Sequence, residues 1–240
     1  MKKFKVEVWS DIVCPFCYIG KRNYENALAL FEFSEQIQLE FKSYQLDPDF
    51  IQIQDEKYDI RAHLSNKYRR SLEEIEVMLS QITASAKSVG LNYNFNKVVR
   101  FNTLQAHRVL MKANDEGLGN KLMETLFSAY FEQGLDLGNT EVLKSIALKN
   151  GLKEQAFEQA ISDEQFAYRV NQDIQEAANL GITGVPFFVF NRKYGVSGAQ
   201  PVAVFLDTLK KAFHEWKESA DSKIENIGNG STCSIDGNCE

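Results

Sequence analysis

Apolar and polar positions alternate at the start of the chain, with Phe4, Val6 and Val8 separated by Lys5 and Glu7. A period of two predicts a strand with one buried face. Past Trp9 the period lengthens. Cys17, Gly20, Tyr24, Ala27, Leu28 and Phe31 recur at helical spacing. Pro15 suits the first turn of that helix, where its missing N–H has no helical partner. Residues 39–44 alternate again and predict a second strand. Strand, helix and strand in that order favour parallel pairing through a right-handed crossover.

From about Tyr58 to Ile161 the pattern predicts no strand. Amphipathic helices are predicted over 71–87, 101–116 and 121–131, the last ending near Gly134, and Thr140 is expected to cap a further helix ending near Gly151. Residues 163–179 predict a helix stopped by Gly181. Pro186 then opens an apolar run to Phe190, and residues 194–198 form its expected hairpin partner. Pro201 opens a last helix that aligns Val202, Phe205, Leu209, Phe213 and Trp216 on one face. The small, polar end carries Cys233 and Cys239. The expected organisation is a first α/β part over 1–57, an all-helical insertion over 58–161, a second α/β part over 162–222 and a flexible tail over 223–240.

Composition narrows this picture. Apolar residues make up 44% and charged residues 25%, an ordinary globular mixture that excludes disorder of the whole chain. The net charge of −6 comes from interspersed signs, so no basic block invites nucleic acid or an anionic membrane. No apolar run is long enough to span a bilayer. Lys5 and Glu7 break any apolar segment behind the basic first residues, so no secretory leader is predicted and the cytoplasm is the expected location. There, structural disulfides are rare and catalytic ones are not.

The four cysteines fall into two close pairs, Cys14 with Cys17 and Cys233 with Cys239. Residues three apart on a helix share a face with Cβ atoms roughly 5–6 Å apart, while a disulfide needs about 3.8 Å. A small adjustment of the first turn therefore opens or closes Cys14–Cys17 without rebuilding the fold. The unpaired N–H groups and the dipole of the helix start favour an anion, so Cys14 is expected to ionise below the free value of about 8.5. The thiolate is the species that attacks a disulfide sulfur. Cys17, one turn deeper, is the expected resolving thiol. Phe16 offers neither charge nor a strong donor. Asp11 is expected to cap the loop, with proton acceptance from Cys17 as the alternative. The competing reading of a lone C-x-x-C is half of a zinc site; its place after a strand and at a helix start favours redox chemistry.

With those residues in view, the segment Ser10-Asp11-Ile12-Val13-Cys14-Pro15-Phe16-Cys17-Tyr18-Ile19-Gly20 resembles the active-site segment of DsbA-family proteins, and most closely their FrnE-like branch. Residues 181–189 followed by 194–201 are similar to that branch's second signature. Asn102-Thr103, Ala106-His107-Arg108 and Ala129-Tyr130-Phe131 with Gly134 are similar to its helical runs, and residues 233–239 to a tail found in part of it. The resemblance covers nearly the whole chain. It implies a thioredoxin fold, a central mixed sheet flanked by helices with a large helical insertion, and thiol–disulfide oxidoreductase activity without a cofactor or metal. It also implies a cis Val185–Pro186 peptide facing the cysteines, where an extended substrate could pair with Val185. The chain departs from periplasmic members in lacking a His between the cysteines. A less oxidising pair is therefore expected, working in reduction, isomerisation or exchange.

The expected partners are protein or small-molecule thiols and disulfides, with glutathione or a thioredoxin-type reductant for recycling. Cys233 and Cys239 could exchange with Cys14 and Cys17 as a secondary redox pair. Phe16, Phe187 and Phe188 could offer an apolar docking surface. His63, His107 and His214 lie at no metal-ligand spacing, and His107 is expected to pack or bond within its helix, with a place in the cleft as the alternative. Two other functions stay open. One is a glutathione-dependent isomerase or transferase of the kappa or chromene-carboxylate type, whose members generally lack a second cysteine. The other is a non-catalytic zinc protein using all four cysteines.

Overall fold

The computed structural model describes residues 3–51 and 59–221. Strands β1 (Phe4–Ser10), β2 (Ile37–Ser43), β3 (Phe187–Phe190) and β4 (Tyr194–Ser197) form one sheet in the order β2-β1-β3-β4. β1 pairs parallel with β2 and antiparallel with β3, and β3 pairs antiparallel with β4. The sheet is mixed, as the thioredoxin fold requires.

Helix α1 (Pro15–Ala29) and the last helix, α9 (Val202–Asp221), cover one face. Phe4, Val6, Val8, Phe188 and Phe190 point into that layer and meet Tyr24, Phe205, Leu209 and Phe213. Single-face burial of β1 was too modest an expectation. Trp9 and Val189 pack on the opposite face with Ala177 of α8 (Glu164–Asn179), and Glu7 is buried there too. Trp9 Nε1 donates to Asp173 O at 2.9 Å, and the Asp173 carboxylate takes the Ser43 N–H and the Lys42 ammonium. Glu7 keeps company with Arg192 and Lys5. Burial pushes the Glu7 carboxyl up, and those cations offset it only in part.

Between the two sheet halves lie α2 (Ile60–Tyr68), α3 (Leu72–Ser88), α4 (Leu104–Asp115), α5 (Gly119–Ser128), a π-turn (Ala129–Gln133), α6 (Thr140–Lys149) and α7 (Glu154–Ser162). No strand occurs here among the described residues. Local chemistry sets the ends. Ser71 and Glu74 form a capping box at the start of α3, and Asp163 caps α8. The cap of α6 is Asn139, whose side chain accepts from Glu141 and Val142, and Thr140 is the first helical residue. An Asn carbonyl in an extended N-cap satisfies two orphan amides at once. Gly134, at φ 70°, ends the π-turn so close to Lys97 that a Cβ would sit 2.7 Å from its carbonyl oxygen.

Candidate active site

Cys14 and Cys17 sit where β1 hands over to α1. Cys14 occupies the N-cap in extended backbone, its N–H bonded to Asp11 O at 3.0 Å. Pro15 is the first helical residue, half-buried, and Phe16 is 45% exposed. Both cysteines are free thiols. Neither is open to solvent: Cys14 is 4% exposed and Cys17 2%. An attacking sulfur is expected to be more accessible than that. Cys14 instead lies among the buried apolar side chains of the core.

The two thiols differ. Burial pushes the Cys17 thiol well above its ordinary value, and the neighbouring Cys14 pushes it the same way. The Asp11 backbone N–H offsets this in part. So does the nearby Ser10 hydroxyl, although it makes no hydrogen bond of normal geometry. Cys17 is thus a protonated thiol at neutral pH. Cys14 Sγ donates to the Val185 carbonyl at 3.5 Å, across 171 residues of sequence. The Val185–Pro186 peptide is cis, Pro186 is buried, and its carbonyl accepts the Gly198 N–H at 2.8 Å. Gly20, one turn past Cys17, lets α1 approach this segment: a Cβ there would stand 3.0 Å from Pro186 Cγ. Phe188 is in the core, so of the three phenylalanines Phe16 and the half-buried Phe187 remain as surface.

Asp11 and His107 meet, which the sequence did not indicate. Both are fully buried, and Asp11 Oδ1 lies 3.2 Å from His107 Nε2. The other carboxylate oxygen accepts the Leu46 N–H at 2.8 Å, so Asp11 ties down the segment after β2 rather than its own loop. The His107 backbone N–H donates to Thr103 O, while its ring reaches out of the helical block to Asp11, just before α1. His107 Nδ1 has no hydrogen-bond partner.

The helical block supplies two further groups that sequence reasoning missed. The Tyr93 hydroxyl donates to Pro15 O at 2.7 Å, between the two cysteines. Glu124 of α5 accepts from the Tyr18 hydroxyl and the Lys21 ammonium, each at 2.6 Å, and pairs with Arg22. Lys21 is 2% exposed, tolerable only because Glu25 and Glu124 hold its charge. No periodicity reveals such contacts; the one available signal is an amphipathic helix carrying Lys21 on its buried side.

His214 is exposed and pairs with Glu218 on α9. Among the described residues no group of three or more His, Cys, Asp or Glu side chains is arranged to hold a metal ion. No helix among them is long and apolar enough to cross a membrane. Cys233 and Cys239 lie outside the described residues.

Comparison with known proteins adds the context. Residues 5–210 match the family profile of the DSBA-like thioredoxin domain. A probable DsbA oxidoreductase, SCO1869 from Streptomyces coelicolor, is 33% identical, with 99% of this chain and 98% of that one superposed at a TM-score of 0.81. The protein YwbO of Bacillus subtilis (strain 168) is 26% identical over 191 residues, 77% of this chain and 85% of its own length. The cytosolic disulfide reductase DsbM from Pseudomonas aeruginosa shares the fold at 15% identity and a TM-score of 0.59, over 90% of this chain and 98% of its own.

Proposed function

Because the chain belongs to the DSBA-like thioredoxin family, and so is an oxidoreductase, we propose that it exchanges disulfides through Cys14 as nucleophile and Cys17 as resolving thiol. The observation that carries this reading is the Cys14 sulfur at the N-cap of α1, 3.5 Å from the Val185 carbonyl, with a protonated Cys17 beside it. While Cys14 keeps its proton, that proton is shared with Val185 O. Once it is lost, the carbonyl repels the sulfur, and the free amides at the start of α1 become its partners.

In the reductive direction the Cys14 thiolate attacks one sulfur of a partner disulfide. A Cys14–partner disulfide forms, and the other sulfur leaves as a thiolate that takes up a proton. Cys17 then loses its proton and attacks the Cys14 sulfur. The Cys14–Cys17 disulfide forms and the second partner sulfur leaves. The partner has gained two electrons, and two external thiols, of glutathione or of a thioredoxin-type protein, return the pair to its reduced state. The same steps reversed oxidise a dithiol. Pro15, Phe16, Val185 and Pro186 shape the entrance, and Asp11 and His107 stand behind it.

The Cys-Pro-Phe-Cys motif, the FrnE-like branch and a cytoplasmic setting belong to this same proposal. So does the division into domains, supported by a sheet that, among the described residues, draws only on strands before residue 44 and after residue 186. Glutathione-dependent isomerases of the chromene-carboxylate type generally lack a second cysteine, and the presence of Cys17 favours exchange. A zinc protein would need the second pair, Cys233 and Cys239, to supply its remaining ligands.

The test is reduction of insulin disulfides by the full chain in glutathione. Wild type is expected to turn over and Cys14→Ser to lose the activity; unchanged turnover in Cys14→Ser defeats the proposal. Exchange onward to Cys233 and Cys239 is tested alongside: a Cys233→Ser/Cys239→Ser double variant with wild-type turnover and potential removes that step.

A further inference from the structure

Tyr93 belongs to the loop between α3 and α4, far in sequence from the cysteines, yet its ring is buried and held on several sides. It stacks on Phe131 of the π-turn, with centroids 4.6 Å apart, and on Tyr18 of α1. Its two neighbours anchor the loop to the π-turn. Asn92 N–H donates to Glu132 Oε1 at 2.9 Å, and Asn94 N–H to Phe131 O at 2.7 Å. The result is a phenol held in one pose, its O–H directed at the Pro15 carbonyl.

That carbonyl belongs to the Pro15–Phe16 peptide. The other end of the same amide is the Phe16 N–H, one of the helix-start donors without an intrahelical partner. Pro15 has no N–H, and the Cys17 N–H is already bonded to the Cys14 carbonyl at 3.0 Å. An N-cap side chain normally accepts from the second or third helical amide. The Phe16 N–H is therefore the donor left for a charged Cys14 sulfur. A hydrogen bond to an amide oxygen polarises the amide and strengthens its N–H as a donor. Burial pushes the Tyr93 phenol up, and the charges of Cys14, Tyr18 and Cys17 push it further. It thus stays a donor within electrostatic range of both sulfurs.

We infer that Tyr93 is a positioning residue for the redox pair: by donating to the Pro15 carbonyl it polarises the Pro15–Phe16 amide and stabilises negative charge on the Cys14 sulfur. The inference rests on the exchange reading above and names a residue of the helical block that tunes it. No bond to the sulfur is made or broken by Tyr93.

The experiment uses the full chain as Tyr93→Phe, which keeps the ring stacking and removes the hydroxyl, with Tyr18→Phe as its companion. Each is equilibrated with reduced and oxidised glutathione, and the fraction of Cys14–Cys17 disulfide is read. Losing thiolate stabilisation favours the oxidised pair. Tyr93→Phe is expected to shift the equilibrium about two- to fivefold toward the disulfide, roughly 10–20 mV at about 30 mV per tenfold, and to slow attack by Cys14. Tyr18→Phe, whose hydroxyl serves Glu124, is expected to leave the equilibrium at the wild-type value. A Tyr93→Phe equilibrium equal to wild type overturns the inference, as does an equal shift in both variants. A wild-type pair that never equilibrates with glutathione overturns the exchange reading instead, a result distinct from an unchanged ratio in a working enzyme.

Discussion

The two cysteines stand between two walls built in different ways. One wall is the β1–α1 turn with the segment entering β3, where main chain comes close: the Cys14 sulfur on the Val185 carbonyl, Gly20 against the Pro186 ring. The other is the helical block, which reaches the pair through single side chains, Tyr93 to Pro15, His107 to Asp11 and Glu124 to Tyr18 and Lys21. The first wall fixes what the sulfurs can do, because main-chain groups hold them at a helix start. The second adjusts how readily they do it. Chemistry is therefore expected to fail when the first wall is breached; in the second, potential is expected to drift when Tyr93 is changed and stability when the His107 or Glu124 contacts are.

The largest effect separates the cysteines themselves. Cys17→Ser leaves Cys14 able to attack but removes the resolving thiol. Turnover is expected to vanish while a Cys14–partner disulfide accumulates, visible by mass under non-reducing conditions. A Cys17→Ser protein that turns over normally would move the resolving role off the first wall altogether.

Next in size is Asp11→Ala, which breaks the second wall at its most buried contact. It leaves the Leu46 N–H and the His107 imidazole without their acceptor, in a place where no water reaches Asp11. The expected cost is about 3 kcal/mol of unfolding free energy, read from urea titration. His107→Leu in the Asp11→Ala background should recover part of it, since an apolar pair avoids an unpaired polar one. No recovery would mean that Leu46, and not His107, is the partner that matters.

Gly20→Val pushes on the first wall from outside the chemistry. A side chain there meets Pro186 Cγ at 3.0 Å and the Phe188 ring at 3.4 Å. Overpacking is expected to cost about 1–3 kcal/mol, and displacement of the Val185 segment to slow exchange about tenfold. Wild-type exchange in a destabilised Gly20→Val would show that the Val185 contact shapes the fold alone.

The first wall was largely legible in the sequence and the second was not, for one physical reason. Alternation in Phe4–Val8, the helical spacing behind Pro15 and the proline opening Phe187–Phe190 are local signals, and each strand or helix appeared where they pointed. Cys14 and Cys17 announce themselves by spacing, and Val185–Pro186 by the motif around it. The contacts of Tyr93, His107 and Glu124 span 78 to 106 residues and depend on how helices pack. Nothing beside Tyr93 in the chain distinguishes it from a core aromatic. Glu7 and Lys21 mislead in the other direction: charge suggests exposure, and only α8 and Glu124 explain their burial. The low exposure of Cys14 likewise belongs to tertiary packing.

The smallest predicted effect concerns Glu124. Burial alone would raise this carboxyl, but hydrogen bonds from Lys21 and Tyr18 and the charges of Lys21 and Arg22 outweigh it, so the group lies below its ordinary value of 4.5. A carboxylate lowered by folding contributes stability that is complete above the unfolded value and is lost as pH falls through the folded one. Glu124→Gln removes the charge at every pH. The difference between wild type and Glu124→Gln should therefore be greatest near neutrality, about 1 kcal/mol given the carboxylate's partial exposure, and should shrink toward pH 3. Urea midpoints at pH 7 and pH 3 measure it. A constant difference would mean that Glu124 holds Tyr18 and Lys21 by hydrogen bonding without its charge.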